Sequence, residues 1–283
     1  MAQETKKQEI TAQHVNMERI LQAKGVKAPR FVVRWLERLL HVEEINSVIY
    51  QYRDTEGVEF TKSVLRYLDI TVKVEHPERV PLEGSPIVAG NHPLGGPDGM
   101  ALISVVGDSR NDIVFPVNDF LMALPQMTSV FVPIDKVHRN TGTANGIETA
   151  FESANTLLYF PAGACSRKID GVIKDLPWKP TFIKKAVKYR RDIVPVFFDA
   201  QNRRRFYNIA RWRQRLGIKF NFEMALLPGE MFAQRGNTFR VVFGQPIPYT
   251  TFDSRHTPQE WASLMYRHVY RLKDNPDAQF EIN

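Results

Sequence analysis

Residues 91 to 99 read NHPLGGPDG, and the two side chains in this stretch able to move a proton, His92 and Asp98, stand six positions apart. A carboxylate bonded to one imidazole nitrogen sets the tautomer and raises the basicity of the other, which can then take a proton from a hydroxyl or thiol. Such a pair makes two members of a catalytic triad without the serine. Gly95, Gly96 and the prolines at 93 and 97 force a compact reversal that can bring the two together. The same residues also describe a plain turn, with Asp98 capping the next helix and His92 a polar loop residue.

A second stretch, residues 160 to 168, reads FPAGACSRK. Its Pro-Ala-Gly turn would present backbone N–H groups, that of Gly163 above all, to a developing oxyanion, while Ser166, Arg167 and Lys168 could grip an anionic or polar headgroup. The alternative is a strand-to-loop turn followed by surface basic residues.

Both stretches leave apolar, β-rich runs. Strands are expected at Ile70–Val74, Ile87–Ala89, Ile113–Val117, Val130–Ile134, Thr156–Phe160, Ile193–Phe198 and Phe239–Phe243. Helical periodicity marks Met100–Val106, Gly142–Ala154, Pro177–Tyr189 and Pro258–Leu272 between and after them. The alternation predicts an α/β fold: a mixed, mostly parallel sheet flanked by helices, with functional residues in loops at strand ends. Residues 1–60 read as an N-terminal helical extension. After Pro29, a suitable first-turn residue, Phe31, Val32, Trp35, Leu36, Leu39 and Leu40 form an apolar stripe that either covers the core or lies in a membrane interface. Residues 61–283 form the main domain on this reading.

The 283-residue chain, 43% hydrophobic and 24% charged, can bury a substantial core. It holds no run approaching the roughly 18 to 20 apolar residues of a membrane span, and MAQETKKQEI lacks the apolar centre of a signal peptide. The single cysteine, Cys165, excludes an internal disulfide framework and fits a reducing cytoplasm. A net charge of +7 favours anionic partners. Much of it lies in QNRRRFYNIARWRQR (201–215), a basic and aromatic segment that suits an anionic membrane surface, or a solvated helix with its aromatic side on the core. Nucleic-acid binding would leave the Asn-His…Asp loop without a purpose. A metal site is not expected, because His92 and Asp98 supply two ligands with no third at helical spacing.

Four ordered blocks carry a resemblance: NHPLGGPD (Asn91–Asp98), PIDK (Pro133–Lys136), FPAGACSR (Phe160–Arg167) and IVPVFF (Ile193–Phe198). Over roughly residues 65 to 250 the chain resembles the glycerolipid, or lysophospholipid, acyltransferase family. The resemblance implies that His92 is the general base and Asp98 its orienting partner, that Gly163 belongs to the oxyanion turn, and that Asn91, Lys136, Ser166, Arg167 and Lys168 contact substrate. It also implies a lyso-lipid acceptor, acyl-carrier protein or acyl-CoA as donor, no metal or resident cofactor, and peripheral attachment to the inner, cytoplasmic face of an anionic membrane. Pro195 in the fourth block reads as structural.

The chain departs from the family in three places. Five residues separate His92 from Asp98 where four are usual, Ala162 replaces a glutamate, and Lys136 replaces an arginine with its bidentate phosphate grip. All three touch acceptor recognition. The sequence is most similar to the bacterial branch that O-acylates N-acylated amino acids of the glycine or ornithine type; the alternative acceptor is 1-acylglycerol 3-phosphate.

Overall fold

The computed structural model of the protein describes residues 15–282 apart from 24, 119–120, 135–145 and 219–220. Four helices come first: α1 (Met17–Ala23), α2 (Arg30–Leu39), α3 (Val42–Gln51) and α4 (Gly57–Tyr67). There follow β1 (Thr71–Glu75), β2 (Ile87–Gly90), α5 (Gly96–Val106), β3 (Ile113–Val117), β4 (Phe131–Pro133), α6 (Gly146–Glu152) and β5 (Thr156–Tyr159). The chain continues through β6 (Arg167–Ile169), β7 (Val172–Lys174), α7 (Thr181–Tyr189), β8 (Ile193–Asp199), α8 (Arg204–Arg215), α9 (Leu227–Phe232), β9 (Thr238–Phe243) and α10 (Pro258–Arg271).

Seven of the described strands form one sheet in the order β1-β9-β8-β2-β5-β3-β4, and β6 and β7 make a separate hairpin. The strands from β8 to β4 are mutually parallel, whereas β9 runs antiparallel to β8 and carries β1 parallel to itself. The expected mixed, mostly parallel α/β sheet is therefore present. Its central strands are apolar at nearly every position because both faces are covered. Side chains alternate between two cores: Val88, Leu158, Val194 and Val196 enter one, while Ile87, Leu157, Ile193 and Phe197 enter the other. The first core is closed by α1 to α5 and the second by α6, α7 and α10, whose Trp261 and Met265 are fully buried.

The division expected at residue 60 does not hold. It falls inside α4, and Val33, Val48, Ile49 and Phe60 are buried in the same core as Val88 and Val194. An amphipathic helix needs an apolar partner, and the first face of the sheet supplies one. One side of α2 remains uncovered, with Phe31 75% and Trp35 60% exposed. Only part of the helix expected over 142–154 lies among the described residues. The β6–β7 hairpin, short and rich in polar residues, was not anticipated.

Because β2, β5, β3 and β8 are parallel, their C-terminal ends share one edge of the sheet. Asn91 and His92 leave β2 there, Phe160 leaves β5, and Asn118 leaves β3. Loops at this edge are the ordinary place for a site in an open α/β sheet.

Candidate active site

His92 Nδ1 lies 3.0 Å from Asp98 Oδ2. The five intervening residues accommodate this through Gly95, which adopts φ +100° and so occupies a conformation that side chains avoid. A Cβ at Gly95 would also stand 3.1 Å from Cys165 Sγ and from a methyl of Leu227. Helix α5 begins at Gly96, so Asp98 is its third residue and not the expected cap. Its carboxylate reaches back and accepts hydrogen bonds from the main-chain N–H of Leu94 (2.8 Å) and Gly95 (3.3 Å), while Oδ1 accepts that of Gly99 (2.9 Å). Asp98 is completely buried and fixed at the helix N-terminus, where the macrodipole favours negative charge.

The two motifs are built onto each other. Phe160 stacks on the His92 ring with centroids 4.2 Å apart and planes 16° from parallel. The Ser166 N–H donates to the His92 carbonyl (2.8 Å), and the His92 N–H donates to the carboxylate of Asp175 (3.2 Å). Asp175, which sequence reasoning missed, is buried and also accepts from Ser166 Oγ (2.6 Å) and Trp178 Nε1 (3.0 Å). Burial pushes its carboxyl above the usual range, opposed by the hydrogen bonds from Ser166, Trp178 and the His92 N–H. Asn202 completes the support, its amide donating to the carbonyls of Pro93 and Leu94. Nothing in DLPW or QNRRR marks either residue as a partner of the histidine loop.

Because Nδ1 faces a carboxylate, it carries the proton in the neutral imidazole, and Nε2 is left as the base. Burial opposes protonation of His92, but the Asp98 carboxylate, with Cys165 adding in the same direction, outweighs it and raises the imidazole well above the ordinary histidine range. His92 lines a cavity of about 420 Å³ together with Cys165, Gly95 and Gly96. The rest of the wall is almost wholly apolar, including Met17, Leu40, Val48, Phe60, Leu227 and Phe232. A concave apolar space with few polar groups at one end suits a single alkyl chain with a reactive head.

Several expected substrate contacts are structural. Asn91 donates through Nδ2 to the Phe198 carbonyl (2.9 Å) and accepts the Phe198 N–H (2.7 Å), extending the β2–β8 pairing. Ser166 is turned onto Asp175. Arg167 is 4% exposed and pairs with buried Glu223 (3.1 Å), which also holds Arg213 of α8 (2.7 Å). A guanidinium in this position cannot reach a headgroup; it fixes the 222–226 turn, whose Met224 and Ala225 line the cavity. Gly163 has φ +67°, as a tight turn requires, but its N–H donates to the Phe160 carbonyl (3.0 Å) and is not aimed at an oxyanion. Lys168 is exposed on β6, and Lys136 lies outside the described residues.

Helix α8 divides the aromatic residues of its segment between the core and the surface. Phe206, Tyr207 and Ala210 are buried, whereas Trp212 is 62% exposed and Leu216 is exposed. Arg203 and Arg205 pair with the buried Glu230, leaving Arg204, Arg211 and Arg215 on the surface.

Residues 19–279 match the family described as Acyltransferase. The chain is 42% identical over 264 residues to the lyso-glycine lipid O-acyltransferase of Bacteroides thetaiotaomicron, covering 91% of this chain and 97% of that one. It is 39% identical over 264 residues to the lyso-glycine lipid O-acyltransferase of Phocaeicola vulgatus, covering 91% and 95%. Among solved structures it is similar to the 1-acyl-sn-glycerophosphate (LPA) acyltransferase from Thermotoga maritima, with TM-score 0.43, 17% identity, and 85% and 95% of the two chains covered.

Proposed function

The chain belongs to the Acyltransferase family and is an O-acyltransferase of lyso-lipids, and from this premise we infer that it transfers a fatty acyl group to the free hydroxyl of a monoacylated glycine lipid. The observation that carries this reading is the His92–Asp98 pair opening on an apolar cavity in a chain so similar to lyso-glycine lipid acyltransferases. His92 Nε2 accepts the proton of the acceptor hydroxyl, and the oxygen attacks the acyl thioester carbon. The charge that develops on the carbonyl oxygen meets the positive end of α5, whose Gly96 lines the cavity beside His92. The imidazolium, held by Asp98, then protonates the departing thiolate. An acyl-carrier protein or acyl-CoA is the donor, and no resident cofactor is needed.

Beside the Gly163 turn of the third block, Lys179 places its ammonium 3.1 Å from where a Cβ would sit, a charge complementary to a glycine carboxylate.

Among the described residues no helix is long and apolar enough to cross a membrane. We assign lipid access to interfacial docking on the inner face of the cell membrane. Phe31 and Trp35 on α2, with Trp212 on α8 and Leu216 just after it, offer apolar side chains, and Arg204, Arg211 and Arg215 offer charge for anionic lipid.

The test is transfer by purified protein from labelled palmitoyl-carrier protein and palmitoyl-CoA to N-acyl glycine lipid and to lysophosphatidic acid. Diacyl glycine lipid as the main product supports the assignment; phosphatidic acid as the main product replaces it with the glycerolipid reading.

A further inference from the structure

Four carboxylates are buried among the described residues: Asp98, Asp175, Glu223 and Glu230. Glu223 pairs with Arg167 and Arg213, and Glu230 pairs with Arg203 and Arg205. Asp98 and Asp175 pair with no lysine or arginine among the described residues. Both face His92 instead. Asp98 meets the ring at Nδ1, and Asp175 accepts the main-chain N–H, which lies 3.2 Å from each carboxylate oxygen.

A charge buried without a fixed counter-ion is costly, so the donors around Asp175 have to hold it. Ser166 Oγ lies 2.6 Å from Oδ1, and Trp178 Nε1 lies 3.0 Å from Oδ2. The Trp178 and His92 N–H groups can only donate, which suits the ionised carboxylate. The main chain of Asp175 is fixed as well, its N–H donating to the Tyr270 hydroxyl of α10 (2.8 Å). The titratable groups beside the carboxylate are His92, from the loop after β2, and Tyr266 and Tyr270 of α10. Burial, with the Asp175 charge adding to it, holds both phenols above their ordinary range and therefore neutral. Of these groups His92 alone gains a positive charge, and it does so when it takes the acceptor proton. We propose that Asp175 is a positioning residue for the transfer: it fixes the main chain that carries the imidazole and supplies a second negative charge, beside that of Asp98, for the imidazolium that forms there. Because the ring is neutral before the proton moves, this attraction is stronger in the transition state than in the ground state.

The proposal rests on the acyl-transfer reading of His92 and is separable from it. Asp175→Asn keeps the side-chain shape and can keep its contacts, the amide nitrogen donating to Ser166 Oγ and the oxygen accepting the Trp178 and His92 N–H groups, while the charge is lost. Thermal melting, kcat and KM are compared with wild type, and His92 is titrated by NMR of ring-labelled histidine in substrate-free protein. The expected result is a kcat lower by roughly 10- to 100-fold with KM within about twofold, and a His92 midpoint moved down by about half a pH unit or more. In wild-type protein with carboxyl-labelled aspartate, Asp175 should be ionised at neutral pH and its resonance should shift again at the His92 midpoint, as interacting sites require. That measurement does not depend on the variant folding. A folded Asp175→Asn protein with an unmoved His92 midpoint, or with kcat within about threefold of wild type, overturns the proposal, since a structural bracket alone leaves the ring's titration where it is. An Asp175 carboxyl that is protonated at neutral pH, or that does not respond at the His92 midpoint, overturns it equally. If wild-type protein acylates neither lyso-lipid, the acyl-transfer reading falls, and the two NMR titrations still decide whether Asp175 supports the charged ring.

Discussion

The ring of Phe160 lies flat against that of His92, 4.2 Å between centroids, so the first residue of the third block is the floor on which the base of the first block rests. Phe160 is itself held edge-on by Phe115 and Phe198, which come from β3 and β8. The orientation of the imidazole is thus tied to the sheet through packing as well as through Asp98. Phe160→Ala removes that floor and leaves a buried void, at an expected cost of about 3–5 kcal/mol. Phe160→Leu keeps most of the volume and loses the ring. It should fold, and its defect should fall on kcat with little change in KM. A rise in KM alone would show that the stack does not orient the base.

Asp98 makes the pH dependence of the reaction predictable in sign. The base works neutral, and its proton affinity is raised by Asp98 against the effect of burial. The rate should therefore climb with pH through a midpoint above the ordinary histidine value of about 6.5. Asp98→Asn should move that midpoint down and cost roughly 10²- to 10⁴-fold in turnover. For stability the sign is opposite: a raised folded-state value stabilises fully below about pH 6.5 and the contribution is lost as pH rises through it. A pH profile unmoved by Asp98→Asn would detach the titration from His92.

Glu223 pairs with both Arg167 and Arg213, all three being buried, and thereby joins the third block to α8 and the cavity wall. Glu223→Ala strands two guanidinium groups, and the expected loss is about 3–5 kcal/mol by urea unfolding. A change below about 1 kcal/mol would indicate that water replaces the carboxylate.

Phe31 and Trp35 are exposed on α2, so charging them should leave folding intact. Phe31→Glu with Trp35→Glu is expected to abolish flotation with phosphatidylglycerol vesicles at low salt without moving Tm. It should also slow transfer to vesicle-embedded acceptor more than to detergent-solubilised acceptor. Flotation equal to that of wild type would place the membrane contact elsewhere.

The sheet was readable because strands covered on both faces are apolar without interruption, as in IVAG, TLLYF and IVPVFF, and turn residues bound them. The His92–Asp98 pair was readable because Gly and Pro between them permit one compact path. Burial was not readable. Asn91, Ser166 and Arg167 occupy motif positions, but their direction depends on Phe198, Asp175 and Glu223, which are 107, 9 and 56 residues away in the chain. Periodicity likewise identified the apolar stripe of α2 without saying how much of it the sheet would cover.

His92→Ala in the purified protein, assayed for transfer of labelled palmitate to N-acyl glycine lipid, tests the central claim most directly. Turnover lower by about 10³-fold or more with an unchanged melting temperature is the predicted result. A folded His92→Ala protein that retains a tenth or more of wild-type turnover would contradict it.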